Sequence, residues 1–163
     1  MSVSPLVLLL AIAATALDGL LAGASLDQSI KQLPARRRIG VVAYSIYARG
    51  ADMGNGIVWY AALGLGAALL TIVVATLAII QSAPDTVAWP LYLAAAASVA
   101  HSLTTSRAAP MMLAQRHIAA TAESAPKLAA LFARFERWQT ARAILQSATF
   151  GLMLWALAAI AVQ

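Results

Sequence analysis

The 163-residue chain has no cysteine, which excludes disulfides, a thiolate nucleophile and cysteine-ligated metal sites. Histidine is nearly as scarce, with His101 and His117 the only two, so little is left from which to build a metal centre. Charge is the third shortage. Charged residues make up 10% of the chain, against about 25% in a soluble domain. That is too little polar surface to coat a water-soluble globule. There is also no phosphate loop, no serine-nucleophile elbow and no dinucleotide fingerprint, and Gly64-x-Gly66 lies mid-helix, where it reads as packing. What the chain does have is hydrophobic residues, which make up 62% of it. It reads as a single-domain, all-α integral membrane protein over residues 1–163.

Four segments are long enough to cross a bilayer, which takes about 20 helical residues. They run over residues 5–26, 53–80, 87–106 and 139–162, and predict a four-helix transmembrane bundle. Ala14–Thr15–Ala16 imitates a signal-peptidase site. However, no basic residue precedes the apolar run, which also continues past that point, so an uncleaved span is expected. All eleven basic residues fall in two connections. Lys31, Arg36, Arg37, Arg38 and Arg49 lie between spans one and two. Arg107, Arg116, Lys127, Arg134, Arg137 and Arg142 lie between span three and the start of span four. The positive-inside rule then places both connections in the cytoplasm and both termini outside it, as in a bacterial inner membrane. The net charge of +5 is therefore an orienting asymmetry. No nucleic-acid partner is expected, because no aromatic-interleaved basic surface accompanies it.

The connections carry helices of their own. In "RRRIGVVAYSIYARGAD" the spacing of Ile39, Val42 and Ile46 predicts a short interfacial helix, with Tyr44 and Tyr47 at headgroup depth. In "APMMLAQRHIAATAESAPKLAALFARFERWQ", Pro110 and Pro126 mark two helix starts, Ser124 is a candidate cap, and Leu128, Leu131, Phe132 and Phe135 form an apolar stripe. Gly19-x-x-x-Gly23 has the spacing of a close helix contact and would be the docking seam of a non-catalytic subunit, whereas a homo-oligomer is what a four-span transporter would require.

One residue breaks the pattern of span one. Leu6 to Ala24 is uncharged except for Asp18, and an ionisable group there costs at least about 2.5–3.5 kcal/mol. Counting about 1.5 Å per residue places Asp18 about 13 Å inside the cytoplasmic edge. His101 falls about 9 Å inside, Arg142 and Gln146 about 7 and 13 Å, and Asn55 and Trp59 about 5 and 10 Å. Each span thus offers polar groups to the same half of the membrane. Helical spacing puts Thr15, Asp18, Ala22 and Ser25 on one face, Asp52, Asn55 and Trp59 on another, Ser98, His101 and Thr105 on a third, and Trp138, Arg142, Gln146 and Thr149 on a fourth. Turned inward, these faces make a polar pocket. His101 is the candidate general base, Asp18 its orienting group or the partner of Arg142, and Arg142 the holder of an oxyanion, carboxylate or phenolate. Asn55, Trp59, Tyr60, Trp138, Gln139 and Gln146 are candidate substrate contacts, with the aromatics flanking a flat ligand. Asp18, His101 and Asn55 are the only conceivable metal set and lack a recognisable ligand spacing, so no metal is expected. No particular cofactor is implied.

"GLLAG" in span one, "SIKQLP" beyond it and "FERWQTARAIL" opening span four resemble the anthrone-oxygenase-like family of small four-span membrane proteins. The resemblance covers nearly the whole layout, and its most specific piece is Phe135, Trp138 and Arg142. Where the family carries His or Asn three residues before that Arg, this chain has Gln139. The resemblance implies oxidation of a phenolic or polycyclic compound by O₂, involving Trp138, Arg142 and His101. The expected function is binding of a lipophilic aromatic or quinone-like molecule, with oxygenase-type chemistry. A homodimeric proton-coupled transporter of lipophilic compounds and a non-catalytic membrane subunit are the alternatives.

Overall fold

The computed structural model describes residues 3–162, and among them the only regular secondary structure is helical, with no strand. Helix α1 spans Pro5–Ile39, α2 Val41–Asp52, α3 Asn55–Ile80, α4 Asp85–Ala114 and α5 Ala125–Ala161. Three of these, α1, α3 and α5, are long and apolar enough to cross a membrane. Helix α4 is interrupted by Pro90, Ser98 and His101 and is less apolar.

Local chemistry sets the ends. Ser4 caps α1, its hydroxyl accepting from the Val7 amide, and Pro5 fills the first position, where a missing N–H costs nothing. Gln81 grips the same point, accepting from the Ser4 amide at 3.2 Å and donating to its hydroxyl at 2.9 Å. At the far end α1 widens into a π-helical turn over Gln28–Gln32 before resuming to Ile39. It stops at Gly40, whose φ of +84° is a left-handed conformation that other residues resist.

Two expected boundaries move. Pro110 lies inside α4 and does not open a new helix. Its ring removes one backbone hydrogen bond, and burial of Ala108 and Met112 on either side offsets the loss. Pro126 does sit in the first turn of α5, but Ser124 makes no capping bond. Helix α5 then runs unbroken from Ala125, well before residue 139, because Leu128, Phe132 and Phe135 extend its buried face.

Helix α1 packs on α3 and α5, and α4 packs on α3 and α5, so the four long helices touch in cyclic order. The pairings Ser4–Gln81 and Asp18–Thr71 make α1 and α3 antiparallel. Gly19 facing Phe150, with Gln28 bonded to Arg142, does the same for α1 and α5.

Two apolar cores result. One lies toward Ser4 and Gln81 and is built from Val7, Val74, Leu91 and Met153 with many alanines. The other lies at the end that carries the basic residues, where α2 tucks beneath the long helices and packs Tyr44 and Ala48 on Leu33, Met112, Phe132 and Phe135. Tyr44 is 1% exposed and meets the Phe132 ring edge-on at 5.0 Å, so it is a core residue and does not sit at headgroup depth. Ile39, at the end of α1, and Ile46 of α2 are exposed on the outside of the protein. Polar clamps fix this second core. Ser45 donates to Gln115 at 3.1 Å, Arg49 reaches the carbonyls of Gln115 and Ile118, and Glu136 pairs with Arg36.

Candidate functional site

The register of the helices decides which polar groups meet. Phe150 stands beside Gly19, so Arg142, eight residues earlier on α5, is about 12 Å nearer the basic end than Asp18. The expected Asp18–Arg142 pair is therefore not made. Asp18 is 2% exposed and accepts from the Thr71 hydroxyl at 2.8 Å. Arg142 donates to Gln28 Oε1 at 3.3 Å. Gln28 opens the π-helical turn of α1.

Around Arg142 lies a chamber of about 220 Å³. Its polar lining is Gln28 from α1, Asp52 at the end of α2, Tyr60 from α3, Thr105 from α4, and Arg142 and Gln146 from α5. Leu21, Ile57, Met112 and Phe135 supply apolar walls. Gly64 leaves room opposite, since a Cβ there would meet nothing within 4 Å. An open groove of about 360 Å³ adjoins it, lined by Gln32, Tyr47, Asn55 and Trp59, and sharing Asp52, Gly56 and Tyr60 with the chamber.

Of the residues expected at a site, Arg142, Gln146 and Tyr60 line the chamber. Asn55 and Trp59 line the outer groove, and both are exposed. Asp52 ends α2 before the break at Met53–Gly54 and lines that groove with them, and the chamber as well. His101 is 2% exposed and lies one helical turn deeper than Thr105. Its Nε2 is 3.4 Å from the Ser98 hydroxyl, its Nδ1 has no partner, and it does not line the chamber. Gln139 is fully buried and donates to the Ser25 carbonyl at 3.2 Å, which makes it a helix-to-helix tie. Trp138 is 38% exposed and lies outside the chamber lining. The conceivable metal set is not assembled, since Asp18 and His101 are buried in the interior while Asn55 is exposed at the groove.

Three interior residues are not singled out by sequence alone. Thr71 is a lone hydroxyl in an apolar run, and that same kind of interruption marks Asp18. Asp52 is visible in the sequence as part of an inward polar face with Asn55 and Trp59, though without a role of its own. Gln28 carries no signal at all, because nothing in the sequence marks the π-helical turn.

Burial pushes the Asp52 carboxyl above the ordinary carboxylate range, and the Arg142 guanidinium acts against that rise. The residue is 9% exposed, and its Oδ2 has no hydrogen-bond partner. The Nε of Arg142 and the Oε1 of Gln146 also lack partners. Buried polar atoms are normally satisfied, and each exception calls for an explanation. Here three of them border one cavity, which is an arrangement suited to a ligand with both donor and acceptor groups.

The architecture defines an all-helical protein with three helices fit to cross a membrane and an interior chamber that combines cation, carboxylate and phenol. Comparison with protein-family models, with curated proteins and with solved structures returns no match to this chain.

Proposed function

We propose that the protein is a four-helix transmembrane bundle that binds a small lipophilic ring compound, of aromatic or quinone type, in the chamber around Arg142. Helix α4 is taken as the fourth crossing because the two polar residues at its middle point inward. Ser98 and His101 are buried, whereas Trp89, Leu93, Val99 and Leu103 form its outer face. All eleven basic residues sit in or beside the two connections at one end, which favours a cytoplasmic placement of that end and non-cytoplasmic termini.

The observation that carries the binding reading is Arg142 itself, a cation held in an apolar-walled chamber by one neutral hydrogen bond, with its Nε unpartnered. A cation kept there without an acidic hydrogen-bond partner is matched to an acceptor that arrives from outside. The size agrees. A dry cavity of about 150 Å³ holds benzene, so about 220 Å³ suits a compound of one or two rings. Binding, and not oxidation, is the function proposed. The oxygenase chemistry that the resemblance implies would use His101 as base, and His101 stands outside the chamber. A transporter reading would want Asp18 free to meet protons or a second copy, yet Thr71 of its own chain occupies it.

The test is binding of 1,4-naphthoquinone and simple aromatic analogues to the detergent-purified chain, followed by tryptophan fluorescence and melting temperature. Saturable binding is expected, and Arg142→Ala is expected to weaken it roughly 10- to 100-fold, the loss of one charge-assisted hydrogen bond. Equal binding by the wild type and Arg142→Ala overturns the assignment.

A further inference from the structure

The chemistry of the ligand, which rests on the binding proposed at Arg142, is narrowed by the atoms left without partners. Arg142 Nε offers a donor on a cation, while Asp52 Oδ2 and Gln146 Oε1 offer acceptors. All three residues line the same chamber, and Asp52 and Gln146 are 9% and 3% exposed. A quinone supplies only acceptors and would leave both oxygens unsatisfied. An aliphatic ammonium would meet the like charge of Arg142. A ring bearing an acidic O–H satisfies Asp52 and Arg142 together, and one with a second hydroxyl satisfies Gln146 as well.

We infer that the chamber takes a weak organic acid of one or two rings, a phenol or an aromatic carboxylic acid, which gives its proton to Asp52 and leaves its oxyanion on Arg142. In this step the ligand O–H bond breaks and its electron pair stays on the ligand oxygen. The proton forms a new O–H bond at Asp52 Oδ2, and no electron changes hands. The net charge of the chamber is unchanged, because an Asp52 carboxylate beside Arg142 becomes a ligand oxyanion beside Arg142. Gln146 accepts from a second hydroxyl where the ligand has one.

Asp52 is suited to this by its place in the fold. It ends α2 at the break before α3, and it borders both the chamber and the open groove. A proton received on the inner side can therefore leave on the outer one without crossing the bundle. The titratable and charged groups acting on it are Arg142 from α5, Tyr60 from α3 and Tyr44 from its own helix. Burial makes Asp52 a stronger proton acceptor than an exposed carboxylate.

The probe is 4-nitrophenol, colourless when protonated and yellow as the anion, added to the full chain in detergent and buffered below the probe's own pKa. The wild type is expected to bind it with a saturable yellow absorbance absent from empty micelles, and to bind 4-nitroanisole, which has no proton to give, at least 10-fold more weakly. Asp52→Asn, with Asp52→Ser as the second variant should it misfold, is expected to bind 4-nitrophenol without colour, and Asp52→Glu is expected to recover part of the colour. Colourless binding by the wild type, or undiminished colour in both neutral variants, overturns the proton transfer while leaving the binding reading intact. Failure of every ring compound to bind overturns both.

Discussion

The half of the bundle near Ser4 and Gln81 and the half near α2 are built from the same four long helices, yet they treat polar groups differently. In the first, the hydroxyls of Thr15 and Thr76 bond back to their own helix, and Val7, Leu91 and Met153 pack among alanines with nothing unsatisfied. In the second, and at its inner border, lie all the buried side-chain atoms that lack a partner among the described residues, from Ser25 and Asp52 to His101, Arg142 and Gln146. The forces differ too. On the proposed membrane placement no hydrophobic effect would drive helix against helix in the first half, and close packing of its small residues would hold it together. Beneath the bundle, α2 and the start of α5 bury Tyr44, Leu128 and Phe132 from water, at about 1.5–3 kcal/mol for each large side chain. One half is thus fully satisfied, and the other holds the unpartnered buried polar groups, Asp52, Arg142 and Gln146 among them.

The sharpest way to break this contrast is to damage each core separately. Phe132→Ala is expected to cost about 3–5 kcal/mol and to lower both the melting temperature and ligand affinity, since its core underlies the chamber. Met153→Ala is expected to cost about 2–5 kcal/mol while affinity holds. If Met153→Ala lowers affinity as much as Phe132→Ala does, the two halves are not independent.

A smaller effect is expected where α1 meets α5. A Cβ at Gly19 would stand 2.9 Å from the Phe150 ring, whereas Gly23 faces open space. Gly19→Val is expected to destabilise by about 1–3 kcal/mol, and Gly23→Val to change little. The reverse order in thermal unfolding would mean that the glycine pair serves a contact between copies of the chain.

Thr71→Val leaves Asp18 without its donor and is expected to cost about 1–3 kcal/mol. It is expected to leave chamber binding unchanged, because Asp18 does not line that cavity. A loss of affinity in titrations of this variant would tie the deep pair to the site after all.

The last test is the mildest. Asp52 is harder to ionise when folded, so the folded chain keeps its proton to higher pH than the unfolded chain does. Its contribution to stability is therefore full below about pH 4, the ordinary carboxylate range, and is lost as pH rises through the raised value. Melting curves from acid to neutral pH should show that decline in the wild type and a flatter profile in Asp52→Asn. Parallel profiles would place the pH response elsewhere.

The sequence was most legible where a single helix carried the information. Apolar length found α1, α3 and α5, charge distribution found the connections at one end, and residue counting put Arg142 and Gln146 at a depth where a chamber exists. It was least legible across helices. His101 and Asp18 have the right chemistry at nearly the right depth, but they sit outside the chamber by a turn or more. Helical spacing grouped Asp52 with Asn55 and Trp59, and all three line the groove, but only the fold shows that Asp52 alone of the three also borders the chamber.

Composition by itself determined that this chain is helical and apolar, with its cations gathered at one end, because those properties are sums over residues. Only the tertiary structure decided that Arg142 faces Gln28 and Asp52's chamber while Asp18 faces Thr71. Periodicity fixes which side chains share a face of one helix. The rotation and sliding of one helix against another are set by how side chains such as Phe150 fit against Gly19, and that fit exists only once the helices have met.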